Sequence, residues 1–210
     1  MEMNLPNRLS GRFIVLDGPD GCGKSTQTLM VYDWLKDQGV DVATFRDPGG
    51  TAVGEKIREV LLNPEHAEMS VRMELLLYMA SRAQLLEEGI KPALSSNKCV
   101  VLDRWVTSTC AYQGFAGGFG VEDVIKIAEA SLGRVWPDLT IVLDVDVETA
   151  AERMNRRLDR MEQKGAEYHK KVREGFLQLS KFNDNVAIVD ATKDIEQVHQ
   201  AVVEAVRQIK

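Results

Sequence analysis

Two patterns put this 210-residue chain among the α/β proteins, with a parallel sheet covered by helices on both faces. Short segments rich in Val, Ile and Leu recur at residues 12–17, 42–45, 99–103, 139–144 and 186–190, and they are apolar throughout rather than alternating. Strands of that composition are buried on both sides. Amphipathic helical patterns fill the intervals. The last is the clearest: Ile195, Val198, Val202, Val206 and Ile209 recur at helical spacing behind Asp194, a suitable N-cap. Repeated strand–helix–strand units imply right-handed crossovers and an open, doubly wound sheet, which binds ligands beyond the carboxyl ends of its strands. No repeat, low-complexity segment or linker interrupts the pattern, so residues 1–210 read as one domain.

Composition narrows the function classes. Lys and Arg number 26 against 32 Asp and Glu, a net charge of −6, which argues against a nucleic-acid binder. Local arginine clusters could still bind small phosphates. No apolar run approaches the ~18 residues of a membrane span, and the first nine residues lack the apolar stretch of a signal peptide. Cys22, Cys99 and Cys110 are odd in number and lack CxxC spacing, so neither a disulfide framework nor a zinc site is expected. A reduced, cytoplasmic compartment fits best.

The first strand runs directly into Gly18-Pro19-Asp20-Gly21-Cys22-Gly23-Lys24-Ser25, followed by Thr26 and a helical pattern. This is GxxxxGK[ST] in its proper setting of strand, glycine turn and helix start, the mark of a P-loop NTPase fold. The glycines let backbone amides turn inward around an anion, and the helix dipole adds to that field. Lys24 would reach the β- and γ-phosphates, and the Ser25 hydroxyl would ligate Mg²⁺. Asp20 is out of character inside an anion-binding loop, so it is expected to point outward to another partner, such as a sugar hydroxyl. Asp103 ends the third strand, the usual setting for a carboxylate that holds the Mg²⁺ shell, although strand-end acids also cap turns. Arg104 follows at the same edge.

Further arginines carry acceptor chemistry. Arg46 ends the second strand and precedes the tight loop Asp47-Pro48-Gly49-Gly50-Thr51. Tyr78 and Arg82 stand at i, i+4 on one helical face, where a ring and a guanidinium could stack on a base and bond its edge. The plainer reading is a core tyrosine beside an arginine that snorkels. Arg153, Arg156, Arg157 and Arg160 fall at i, i+3, i+4 and i+7, one basic stripe; with Glu152, Asp159 and Glu162 interspersed it also reads as a salt-bridged surface helix. Phosphoryl-transfer enzymes, however, place arginines to meet charge on the transferring group.

Three separated motifs then resemble the thymidylate kinase family. Leu102-Asp103-Arg104-Trp105-Val106-Thr107-Ser108-Thr109-Cys110-Ala111-Tyr112-Gln113 resembles DR[YF]xxSxxAYQ, residues 45–51 resemble TREPGGT, and residues 158–162 resemble LDRxE. The resemblance spans nearly the whole chain. It implies phosphorylation of dTMP to dTDP with MgATP in dTTP synthesis, and a homodimer, for which Leu75, Leu76, Leu77, Leu85 and Leu86 offer apolar surface. It further implies that Asp20 binds the 3′-hydroxyl, Arg46 and Arg104 the dTMP phosphate, and Tyr78 the thymine face, where the family usually has Phe. Arg82 would donate to the base carbonyl, Ser108 and Gln113 would line the base pocket, and Tyr112 would lie beneath the sugar. Thr192 belongs to a loop edging the adenine of ATP. Trp105, Asp47 and Asp17 depart from the commoner residues.

The family divides by whether a catalytic arginine stands in the P-loop or in a lid. Gly21 occupies the loop position, so a short lid over residues 153–165 is expected to supply it from Arg153, Arg156 or Arg157. The nearest rival is another deoxynucleoside monophosphate kinase, with dUMP or relaxed specificity, because a thymine methyl contributes only ~1–3 kcal/mol of discrimination. A non-catalytic nucleotide-binding protein is the other alternative; as a guanine-specific switch it would need NKxD, which Thr192-Lys193-Asp194-Ile195 misses.

Overall fold

A computed structural model describes residues 4–133, 135–154, 157–181 and 185–209. A short helix, α1 (Leu5–Leu9), opens the described chain, capped by the Asn4 side chain; sequence patterning did not reveal it. The remaining elements alternate: β1 (Phe13–Asp17), α2 (Lys24–Asp37), β2 (Val42–Arg46), α3 (Ala52–Leu62), α4 (Val71–Leu85), α5 (Lys91–Ser95), β3 (Cys99–Asp103), α6 (Val106–Thr109), α7 (Val121–Leu132), β4 (Leu139–Asp144), α8 (Val147–Arg153), α9 (Ala166–Ser180), β5 (Val186–Asp190) and α10 (Ile195–Arg207). Two π-helical segments, Leu86–Ile90 and Cys110–Ala116, continue α4 and α6.

All five strands are parallel, in the order β2-β3-β1-β4-β5. Each begins and ends within a residue of its apolar segment. The physical reason is visible in β1, where Ile14 and Leu16 enter one core with α2 and α10 while Phe13 and Val15 enter another with α4 and α7. Both faces of the strand are dry, so polar alternation has no place in it. Asp194 caps α10 as expected, accepting from Gln197 N, and Val198, Val202 and Val206 face the core.

Three departures from expectation follow from packing. Leu75, Leu85 and Leu86 are core residues on the α4 side of the sheet, not surface; of that set Leu76 is exposed and Leu77 half-buried. The arginine stripe is not one helical face. Arg153 is the last residue of α8, the chain leaves the helix at Met154, and Arg160 is buried. Arg156 lies outside the described residues.

The register sets up the site. Leu16 of β1 and Arg46 of β2 both pair with Asp103 of β3, so the carboxyl ends of these strands share one level. The chain reverses winding direction around β1, the topological position where such sheets bind ligands.

Candidate active site

Above that edge lies a cavity of about 1280 Å³. That exceeds the ~300–1,000 Å³ of a single-ligand pocket and suits two ligands side by side. Among the described residues no group of three or more His, Cys, Asp or Glu could hold a metal by itself.

One end is built on the glycine loop. Asp20 through Gln27 line the cavity, while Gly18 and Pro19 lie behind it and take Lys24 Nζ on their carbonyls at 3.1 and 2.7 Å. Gly23, the N-cap residue just before α2, is in the left-handed region, φ 95°, and no side chain caps the helix, which leaves its first amides for an anion. Gly21 is sterically obligatory. It has φ +78°, and a Cβ there would stand 2.5 Å from the Ala150 carbonyl oxygen. The Ser25 hydroxyl donates to Asp103 Oδ2 at 2.8 Å. These oxygen donors suit Mg²⁺, which typically takes one or two protein ligands and completes its octahedron with phosphate and water.

The other end is organised by Arg104. Its backbone is left-handed, φ 70°, and its amide bonds Leu16 O, which aims the side chain back across β1. The guanidinium donates to Gly18 O at 3.0 Å, to Ser108 Oγ at 2.9 Å and to Asp20, and it lies 5.3 Å from the Tyr112 ring centroid. Asp20 therefore does point away from the loop's anion side; its second oxygen accepts from the Tyr112 hydroxyl at 2.7 Å. Burial works to raise the Asp20 carboxyl, but Arg104 and Lys24 outweigh it and hold the group below its ordinary range. Ser108 also donates to buried Asp17 at 2.5 Å, so its hydroxyl braces Arg104 from behind. Tyr112 and Gln113 sit on the π-helical segment Cys110–Ala116, a backbone form frequent at functional sites.

Arg82 is held from three sides. Asp47 Oδ2 accepts from its Nε at 2.9 Å and its Nη2 at 2.5 Å, Nη2 also bonds Trp105 O and Thr109 Oγ1, and the guanidinium lies 5.2 Å from the Trp105 ring. It is buried rather than snorkelling, and its Nη1 donates to Met79 Sδ at 3.4 Å. Tyr78 lines the cavity beside it. Arg46 bonds Glu55 at 2.8 Å at the rim.

The lid arginines separate. Arg153 lines the cavity with its guanidinium on the Ala191 and Thr192 carbonyls at 2.8 and 3.4 Å, whereas Arg157 is exposed and not part of the lining. Thr192 turns its own hydroxyl to Asp190, and the neighbours Ala191 and Lys193 face the cavity instead.

Two residues escaped the sequence reading. Arg58 on α3 lines the cavity beside Arg46 and donates to Pro48 O at 2.9 Å. Its position one helical turn beyond Glu55, just after the Pro-Gly-Gly loop, was the available signal. Glu74 on α4 is buried against Arg160, Lys164 and Gln113, and no local pattern announces it.

A P-loop, a strand-end carboxylate beside its serine, and an arginine-lined far end of the same cavity define a P-loop kinase acting on a small phosphorylated acceptor. Residues 16–202 match the family model described as thymidylate kinase. The thymidylate kinase of Caldanaerobacter subterraneus subsp. tengcongensis is 44% identical over 202 residues, covering 95% of this chain and 97% of that one. The Geobacillus sp. (strain WCH70) thymidylate kinase is 39% identical, with 94% and 97% covered. The crystal structure of thymidylate kinase from Ehrlichia chaffeensis superposes with a TM-score of 0.77 at 30% identity, covering 95% of this chain and all of that one. The chain belongs to the thymidylate kinase family.

Proposed function

We propose that the protein transfers the γ-phosphoryl group of ATP to dTMP, giving dTDP. The observation that carries this reading is one continuous cavity in which the Lys24–Ser25 loop and the Arg104–Asp20–Tyr112 cluster face each other. ATP occupies the loop end, its phosphates on the amides of residues 21–26 and its adenine near Ala191 and Lys193. dTMP occupies the other end. Its phosphate meets Arg46, Arg104 and Arg58, its 3′-hydroxyl meets Asp20, its sugar rests over Tyr112, and its base stacks on Tyr78 with Arg82 and Gln113 along its edge.

The acceptor oxygen is already ionised, so no strong general base is required, and the task is alignment and charge neutralisation. Lys24 leaves its loop carbonyls for the β- and γ-oxygens, and Arg104 fixes the attacking phosphate in line. Ser25 and Asp103 would hold Mg²⁺, which when bound neutralises charge on the phosphate oxygens. With Gly21 barred from carrying a side chain, an arginine from a lid over residues 153–165 meets the charge on the transferring group. Arg153 is the described candidate already at the cavity. Closure of that lid would exclude water and so limit hydrolysis of ATP.

The three cysteines are free and buried, which accords with a reducing cytoplasm, and no helix among the described residues is long and apolar enough to cross a membrane. A homodimer would cover Val53 and Val60 on α3 together with Met73 and Leu76 on α4, all exposed in the single chain; light scattering coupled to gel filtration tests it. For the reaction, a coupled ADP-release assay with dTMP, dUMP, dGMP and thymidine should give turnover with dTMP and little with thymidine. Lys24→Ala should abolish it by two orders of magnitude or more. Equal rates with thymidine would overturn the phosphorylated-acceptor reading.

A further inference from the structure

Glu74 stands between the pocket assigned above to dTMP and the segment that carries the lid, and the phosphoryl transfer itself makes no use of it. Its carboxylate is 1% exposed. Oε1 accepts from Arg160 Nη1 and Lys164 Nζ, each at 2.6 Å, and Oε2 accepts from Gln113 Nε2 at 3.0 Å. Burial opposes its charge, but the bonds from Lys164, Arg160 and Gln113 prevail and hold it below the ordinary carboxyl range.

A charged carboxylate accepts and cannot donate. A glutamine amide has nearly the same shape either way round, so its orientation is decided by its hydrogen-bond partners. Facing Glu74, Gln113 has to present its NH₂, and its acceptor Oε1 becomes the polar group it offers to the cavity it lines. Arg82, on the same cavity, can only donate.

We propose that Glu74 is the positioning residue for base selection: by locking the Gln113 amide with its oxygen toward the base, it makes the pocket edge complementary to a 4-oxo pyrimidine carrying an N3–H and mismatched to a 4-amino pyrimidine. The same carboxylate anchors Arg160, whose Nε also holds Leu61 O at 2.7 Å, so base reading and the foot of the lid segment depend on one charge. The proposal rests on the dTMP reading of the pocket.

Glu74→Gln tests it. Arg160 and Lys164 are donors, so they will draw the new amide's oxygen to their side. Its NH₂ then faces Gln113, which must turn round and present its own NH₂ to the base. The selectivity ratio, kcat/KM for dTMP over dCMP, should fall by on the order of 10-fold or more, with the KM for ATP unchanged. A merely structural role lowers both acceptors together and leaves the ratio intact, which overturns the proposal. In a Gln113→Leu background, Glu74→Gln should move the ratio no further; an additive effect also overturns it. Should Glu74→Gln fail to fold because Arg160 is left buried and unpaired, Glu74→Gln/Arg160→Met removes both charges of that pair and keeps Lys164 to orient the amide, and the same ratio is read. Absence of dTMP turnover in the parent protein would instead count against the pocket assignment.

Discussion

The Ser25 hydroxyl donates to Asp103 Oδ2 at 2.8 Å, tying the first turn of α2 to the end of β3. The two oxygens come together because Leu16 and Asp103 are in register, so the glycine loop leaving β1 and the carboxylate ending β3 start at the same level. Strand pairing thus brings together the two oxygens proposed above to hold Mg²⁺.

Asp103→Asn should keep the fold and raise the Mg²⁺ concentration needed for half-maximal turnover, on the order of 10–100-fold. Steady-state rates across a Mg²⁺ titration at saturating ATP and dTMP measure it; an unchanged midpoint would remove Asp103 from the cation shell.

Arg82→Ala should cost stability as well as acceptor binding. It leaves Asp47 buried without its cation, a loss of about 3–5 kcal/mol for a broken buried pair. Removing both partners in Asp47→Ala/Arg82→Ala should recover part of that loss, since no uncompensated charge remains. Urea unfolding of the two single variants and the double variant gives the coupling; strictly additive losses would show that the pair is not interacting.

Alanine at Arg153, Arg156 and Arg157 should have unequal effects. At least one variant should lose 10²-fold or more in kcat with near-normal dissociation constants, as expected for a donor engaged chiefly in the transition state. Solvated pairs contribute at most ~1 kcal/mol, so three small, similar losses would refute the lid-arginine mechanism.

Asp20 supplies a pH signature. Its folded carboxyl titrates below its unfolded value, so the stability it contributes is present above the ordinary carboxyl range and is lost as pH falls through the depressed folded value. The difference in unfolding free energy between the parent and Asp20→Asn should therefore be largest near neutrality. It should begin to shrink only below about 3.8. Chemical denaturation from neutrality into that acidic range follows it; a difference independent of pH would mean that Arg104 does not depress the group.

The strands and the glycine loop were legible because their signals are local. Continuous apolar runs report burial on both faces, and GxxxxGK[ST] encodes a backbone path. What escaped depends on partners far along the chain. Arg160 and Glu74 are 86 residues apart, and only the fold shows that they neutralise each other. The spacing of Arg153, Arg156, Arg157 and Arg160 suggested one helical face, but spacing carries no notice that α8 stops at Arg153. Leu75, Leu85 and Leu86 looked surplus because the depth of the core above β3 cannot be read from one helix. Arg82 shows a third limit: its neighbour in sequence, Tyr78, was visible, whereas the Asp47 and Trp105 contacts that immobilise it were not.

The contact between Gly21 and Ala150 bears on how such enzymes diverge. Any side chain at Gly21 meets the α8 backbone at 2.5 Å, so an arginine entering the loop would first have to displace the helix that ends in Arg153. An arginine in the loop and an arginine on the lid are therefore not separated by one substitution. Exchanging one arrangement for the other asks for a coordinated change in the loop and in the path of α8.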